Sequence, residues 1–297
     1  SYSKQDLIAF EPAHDAFVGI DSDGCVFDSM GIKQCEHFHP MIIAVWQLER
    51  IEPQLRETAE FVNLYSKWRG SNRFPALLKV FELLADRADV VASGVALPSL
   101  DALRGYVTSG LPLGAPSLEQ EVARTGAPEL TRVLKWSHAV SADIDQNMRA
   151  IPPFVASIPA LAAVQESSDA IVVSQTPEAD LVKEWKLHDL ERFVEVIAGQ
   201  ELGTKAEHLE MATVGKYAPS RVLLIGDAPG DRAAAQAVGA CFYPINPGTE
   251  ETAWQRFHEE AYPRFLDGTY VGAYEDQLIS AFEAQLPEVP PWEHQDR

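Results

Sequence analysis

Two aspartates one residue apart, Asp21 and Asp23, follow the short apolar run Phe17 to Ile20, and a second pair, Asp227 and Asp231, follows the run Val222 to Ile225. Runs of this kind read as buried strands, so these carboxylates are expected where strands end. Carboxylates gathered there can attack an electrophile, move a proton or hold a hard divalent cation through oxygen. Gly226 and Gly230 permit a tight turn that brings Asp227 and Asp231 together. A third apolar run, Ala170 to Val173, ends on Ser174, and Lys205 lies further on in a polar turn after Gly203 and Thr204. Each feature has a plainer reading. Asp-x-Asp is common turn chemistry, and Ser174 or Thr176 could cap the next helix. Asp231 suits a helix first turn, and a lone Lys in a turn is ordinarily solvated. Their joint occurrence at strand ends favours chemistry, because open α/β sheets build their sites there.

The elements that must position these residues change style along the chain. Residues 1 to 16 are polar and irregular. From Gly31 to Ala150 strand-like runs vanish and helical patterns replace them, as in Ile32, Cys35, Ile42, Val45 and Trp46, or Leu77, Val80, Phe81 and Leu84. Ser117 and Gln120 read as a capping box. Beyond Pro153 the pattern alternates again: a helix over 158–165, a strand over 170–173, and a helix capped by Thr176 and Pro177 that ends near His188. Further strands are expected over 194–198, 222–225 and 241–245, with a helix over 232–238. Alternation to the C-terminus implies a parallel sheet flanked by helices. The fold class is therefore α/β, with a Rossmann-like core of residues 1 to 30 and 151 to 297 interrupted by an all-helical insert of residues 31 to 150.

At 297 residues and 46% hydrophobic, the chain can bury a full core, and its length fits two domains. Against 44 acidic residues stand 24 Lys and Arg, a net charge of −20 that repels nucleic acid and acidic membranes. Any phosphate site must then build a local positive environment. Apolar stretches fall short of a membrane span, and three cysteines fit a reducing compartment, so a cytoplasmic protein is expected.

Taken together, Asp21, Asp23, Ser174, Lys205, Asp227 and Asp231 resemble the motif set of the haloacid dehalogenase superfamily, in order, spacing and strand context, over residues 16 to 30 and about 150 to 245. The resemblance implies Mg²⁺-dependent hydrolysis of a small phosphorylated metabolite, with Asp21 as nucleophile forming an aspartyl-phosphate and Asp23 as general acid and base. Ser174 would bond a phosphoryl oxygen, and Lys205 would stabilise charge on the nucleophile and the transferring group. Asp21, Asp23 through its carbonyl, and Asp227 would hold the metal, with Asp231 acting through water or by orienting Lys205. Two departures are Cys25 where the family usually has Thr, and Ala206 where Pro usually follows the Lys. Family dehalogenases lack an acid at the position of Asp23. The alternative is a phosphomutase of a phosphorylated sugar using the same residues, and a third reading is a catalytically silent binding protein on this scaffold. The helical insert falls where the family carries a cap over the site, and Arg69, Asn72 and Arg73 in it are candidates to grip a second anionic group of the substrate. A zinc reading of Cys35, His37 and His39 lacks the usual spacing and a fourth ligand, so ordinary packing is expected for them.

Overall fold

Five strands form one parallel sheet in the order β3-β2-β1-β4-β5, with β1 Phe17–Ile20, β2 Asp169–Val173, β3 Val196–Ala198, β4 Val222–Gly226 and β5 Cys241–Pro244. The computed structural model describes residues 1–294. Every residue of these strands is buried, which is why they read as unbroken apolar runs rather than alternating ones. From β1 the chain moves to β2 and β3 on one side, then crosses back to β4 and β5 on the other. Loops leaving β1 and β4 therefore part in opposite directions and open a crevice beyond the carboxyl ends of the strands.

One side of the sheet packs Phe17, Ile171, Val173 and Leu224 against Leu209, Ala235 and Phe282 from the helices Lys205–Thr213, Pro229–Ala237 and Ala273–Ala284. Each fully buried Leu, Ile or Phe contributes about 1.5 to 3 kcal/mol. The N-terminal segment, expected to be irregular, contains the helix Lys4–Ile8, whose Leu7 enters this core while Asp6 bonds back to Ser3. The third strand begins at Val196 rather than 194, because Glu191–Phe193 forms a 3-10 turn. After β5 the expected alternation stops, and the chain is helical through Glu250–Arg256, Tyr262–Asp267 and Ala273–Ala284.

Tertiary contacts divide the described chain into two units: residues 1–30 with 150–287, and residues 31–149 with 288–294. The second unit is helical throughout its described elements, including His39–Trp46, Glu52–Leu64, Arg73–Asp86 and Pro128–Asn147. Trp46 packs edge-on to Phe81 and Trp136, at 5.2 and 6.3 Å between ring centres, inside an apolar core of its own. The capping box expected at Ser117 is displaced: the helix starts at Ala115 after Gly114, with Pro116 in its first turn. Residues 288–294, expected with the sheet, belong instead with this unit. Trp292 meets Phe61 edge-on at 5.5 Å and lies under the Arg87 guanidinium at 4.5 Å. No helix among the described residues is long and apolar enough to cross a membrane.

Candidate active site

The loop after β1 turns on one carbonyl. Ser22 O accepts from the backbone N–H groups of Cys25, Val26 and Phe27, while Gly24, at φ 77°, supplies the left-handed step that the reversal requires. Ser22 Oγ is fixed by the Trp185 indole N–H at 3.0 Å, and the Trp254 indole N–H donates to Cys25 O at 2.7 Å. This clamps the segment that carries Asp21 and Asp23. Asp21 is 3% exposed; its backbone N–H donates to Ile225 O at 3.0 Å, and its Oδ1 accepts from Ser22 N–H at 2.8 Å.

Asp227 and Asp231 follow β4 and are fully buried. The helix Pro229–Ala237 starts three residues earlier than its sequence pattern suggests, so Asp231 occupies the third helical position and folds back on the turn. Its Oδ2 accepts from Asp227 N–H and Ala228 N–H at 3.2 and 3.0 Å. Its Oδ1 accepts from Lys205 Nζ at 2.5 Å, and the same ammonium lies 2.9 Å from Asp21 Oδ2. Lys205 opens its helix behind a capping box of Thr204 and Glu207, which sets the direction of its side chain. Ligand oxygens of Asp21, Asp227 and Asp231 lie within 4.8 Å of one another.

Burial, and then the Asp231 carboxylate, push the Asp21 carboxyl well above the usual carboxylate range, against the pull of Lys205. Burial alone would discharge Lys205, but Asp21 and Asp231 outweigh it and hold the ammonium above its ordinary value. Burial, reinforced by Asp21 and Asp227, likewise pushes the Cys25 thiol up, so it stands as a neutral filler beside the carboxylates. Three buried carboxylates against one ammonium leave surplus negative charge in a dry place, and a divalent cation with a preference for oxygen fits that donor set.

Asp23 points into a different set of partners. Its Oδ1 accepts from Ser29 Oγ, and its Oδ2 accepts from Thr176 Oγ1 at 2.5 Å. Thr176 therefore does not cap the next helix, Glu178–Leu187, which begins after Pro177 without a side-chain cap. Ser174 is 2% exposed; its backbone N–H donates to Ala198 O, and its Oγ accepts from Thr176 N–H at 3.2 Å. Sequence reading did not find the Asp23 partners, since a hydroxyl six residues on and another on a different loop leave no periodic signal.

Gly226 keeps this arrangement possible. A Cβ there would lie 2.4 Å from Cβ and Cγ of Asp231. Gly226→Ala is expected to cost roughly 1 to 3 kcal/mol of stability and to force Asp231 off Lys205. Urea unfolding checks this, and an unchanged midpoint would mean that the strand end yields without strain.

In the helical unit, Arg69 is 5% exposed and donates through Nη1 to Leu64 O at 2.9 Å. Asn72 caps the Arg73–Asp86 helix through Phe74 N–H and donates to Leu113 O. Arg73 donates to Ser137 O, Ser137 Oγ and Ser141 Oγ and lies 5.1 Å from the Phe38 ring. The cluster expected to face a ligand thus makes bonds within its own helical unit, and those of Arg73 join two of its helices.

No family model matches the chain, and no curated protein is similar to it. Solved structures similar to it include a haloacid dehalogenase-like family hydrolase from Streptococcus pneumoniae (18% identity, 82% of this chain and 90% of that one, TM-score 0.43). Another is a candidate β-phosphoglucomutase from Bacteroides vulgatus (14%, 91% and 96%, TM-score 0.45). A third is the candidate hydrolase of the same superfamily YfnB from Bacillus subtilis, bound to magnesium (13%, 79% and 88%, TM-score 0.42). At such scores the likeness is loose, and the functional reading rests on the chain's own residues.

Proposed function

We propose that the protein is a Mg²⁺-dependent phosphatase that hydrolyses the monoester of a small phosphorylated metabolite through an aspartyl-phosphate on Asp21. The observation that carries this reading is the Lys205 ammonium shared by Asp21 and Asp231, with Asp227 alongside, at the ends of two neighbouring strands. Asp21 and Asp227, with the Asp23 carbonyl, would hold the metal. When bound, Mg²⁺ supplies charge neutralisation that lets an anionic nucleophile approach an anionic ester.

The chain's own groups do the rest. An Asp21 oxygen forms a bond to phosphorus as the ester P–O bond breaks, and Asp23 gives its proton to the departing oxygen. Asp23 then accepts a proton from the water that attacks the aspartyl-phosphate, which releases phosphate and restores the carboxylate. Ser29 and Thr176 fix the rotamer of Asp23 for both transfers. Ser174 orients a phosphoryl oxygen, and Lys205 compensates the charge that builds on Asp21 and the transferring group. Substrate selection is assigned to the 31–149 insertion on its place in the chain, between the segment of Asp21 and that of Ser174.

The test is free phosphate released from a panel of phosphorylated metabolites and an aryl phosphate. Excess chelator should abolish release and Mg²⁺ restore it, while Ca²⁺ should inhibit because its larger, irregular shell disturbs in-line geometry. Full activity in chelator would overturn the metal requirement. Interconversion of phosphorylated sugars without phosphate release would replace the phosphatase with a phosphomutase.

A further inference from the structure

A second group of metal-ligating atoms lies in the helical unit, apart from the aspartates of the strand ends. Cys35 sits in the π-helical segment Lys33–Phe38, His39 opens the helix His39–Trp46 that continues it, and Glu60 comes from the adjoining helix Glu52–Leu64. One ligand atom from each lies within 4.8 Å of the other two, with Cys35 Sγ 3.9 Å from Glu60 Oε1.

The histidine makes the group more than a coincidence of polar residues. His39 is 0% exposed, and neither of its ring nitrogens has a hydrogen-bond partner among the described residues. A buried imidazole left in that condition is costly unless a further group completes its bonding. Two residues away, His37 is already engaged, with Nδ1 2.7 Å from Asp143 Oδ2. Residues two apart on a helix diverge, whereas Cys35 and His39, four apart, share a face. Ordinary packing is the sequence expectation for Cys35, His37 and His39; the structure turns His37 to Asp143 and brings Glu60, distant in sequence, beside Cys35 and His39.

We propose that Cys35, His39 and Glu60 form a zinc site that ties the first helical run of this unit to the Glu52–Leu64 helix. One sulfur, one imidazole nitrogen and one carboxylate oxygen make a borderline-soft donor set, which suits Zn²⁺ and not Mg²⁺. Tetrahedral zinc holds such atoms roughly 3.3 to 3.6 Å apart, so rotamer adjustment of Cys35 and Glu60, both only partly buried, closes the set. On binding, the Cys35 thiol gives its proton to solvent, and thiolate and carboxylate together cancel the charge of the ion. Three protein ligands leave a fourth position for water. The zinc site is independent of the chemistry proposed at the strand ends.

The test uses the full chain, stripped of metal and kept in excess Mg²⁺ to fill the aspartate cluster, with Co²⁺ as an optical probe. One equivalent of Co²⁺ should raise a thiolate-to-cobalt charge-transfer band that Zn²⁺ then displaces. Cys35→Ser should abolish the band, and Cys25→Ser should leave it. Glu60→Gln should weaken binding about tenfold or more. His39→Asn alters a buried position and can prevent folding, so the Cys35 and Glu60 variants decide the outcome, with circular dichroism confirming that each is folded. Absence of the band in the folded wild type, or its survival in Cys35→Ser, would overturn the site.

Discussion

Asp21→Asn is expected to lower phosphate-ester turnover by at least roughly a thousandfold while the protein remains folded. The amide keeps the shape of the side chain and can still accept from Ser22 N–H, as Asp21 Oδ1 does. What it loses is the anionic oxygen that would attack phosphorus. Stability should hold or rise slightly, because burial already disfavours the charge on this carboxyl and Lys205 retains Asp231. Steady-state kinetics paired with a denaturant curve separate the two effects. A variant that keeps a tenth of the wild-type rate, with deamidation excluded by mass, would remove Asp21 from the chemistry.

Lys205→Met is expected to strike both activity and fold. The Lys205 side chain is 17% exposed, and its ammonium lies between the carboxylates of side chains that are 5% and 0% exposed. Taking one partner from a buried pair leaves uncompensated charge, at a cost of about 3 to 5 kcal/mol. Adding Asp231→Asn should recover part of that loss but none of the turnover, since Lys205 would still be missing beside the reacting group. Urea midpoints of the single and double variants measure the coupling. If Lys205→Met unfolds within about 1 kcal/mol of wild type, the carboxylates take up protons freely and the bridge contributes little.

The strands that bear the aspartates were legible because a buried parallel strand is an unbroken apolar run, and β1, β2 and β4 are each followed at once by a polar residue that breaks it. Gly226 was legible as a turn residue, but its reason lies in the Asp231 carboxylate folded over it, which is a fact of three dimensions. Ser29 and Thr176 were not assigned to Asp23, because hydroxyls also serve as caps and only packing decides between the two. The hydrogen bonds of Arg69, Asn72 and Arg73 were hidden in the sequence for a related reason. Three polar residues around Gly70 look like an open cluster in sequence, yet carbonyls at a helix end and on a neighbouring loop are equally good acceptors, and those are what Arg69 and Asn72 meet. Trp292 was placed with the sheet by chain continuity alone, whereas a large aromatic goes where an edge-on ring and a cation can cover it.

The strand order also fixes when the sheet can exist during synthesis. β1 is central, yet its neighbours β2 and β4 are encoded only after the insertion. Its apolar residues leave the ribosome with no ladder to join, and they wait while residues 31–149 are made, a unit that itself gains Trp292 only after the last strand of the sheet. The junction is then drawn shut by the bridge between Phe27 and Pro153 and by Phe154 N–H on Val26 O. Closing a long loop costs only logarithmically more than closing a short one. The first strand made is therefore the one that waits longest for its second neighbour, and between residues 20 and 222 it presents an unpaired edge to the rest of the nascent chain.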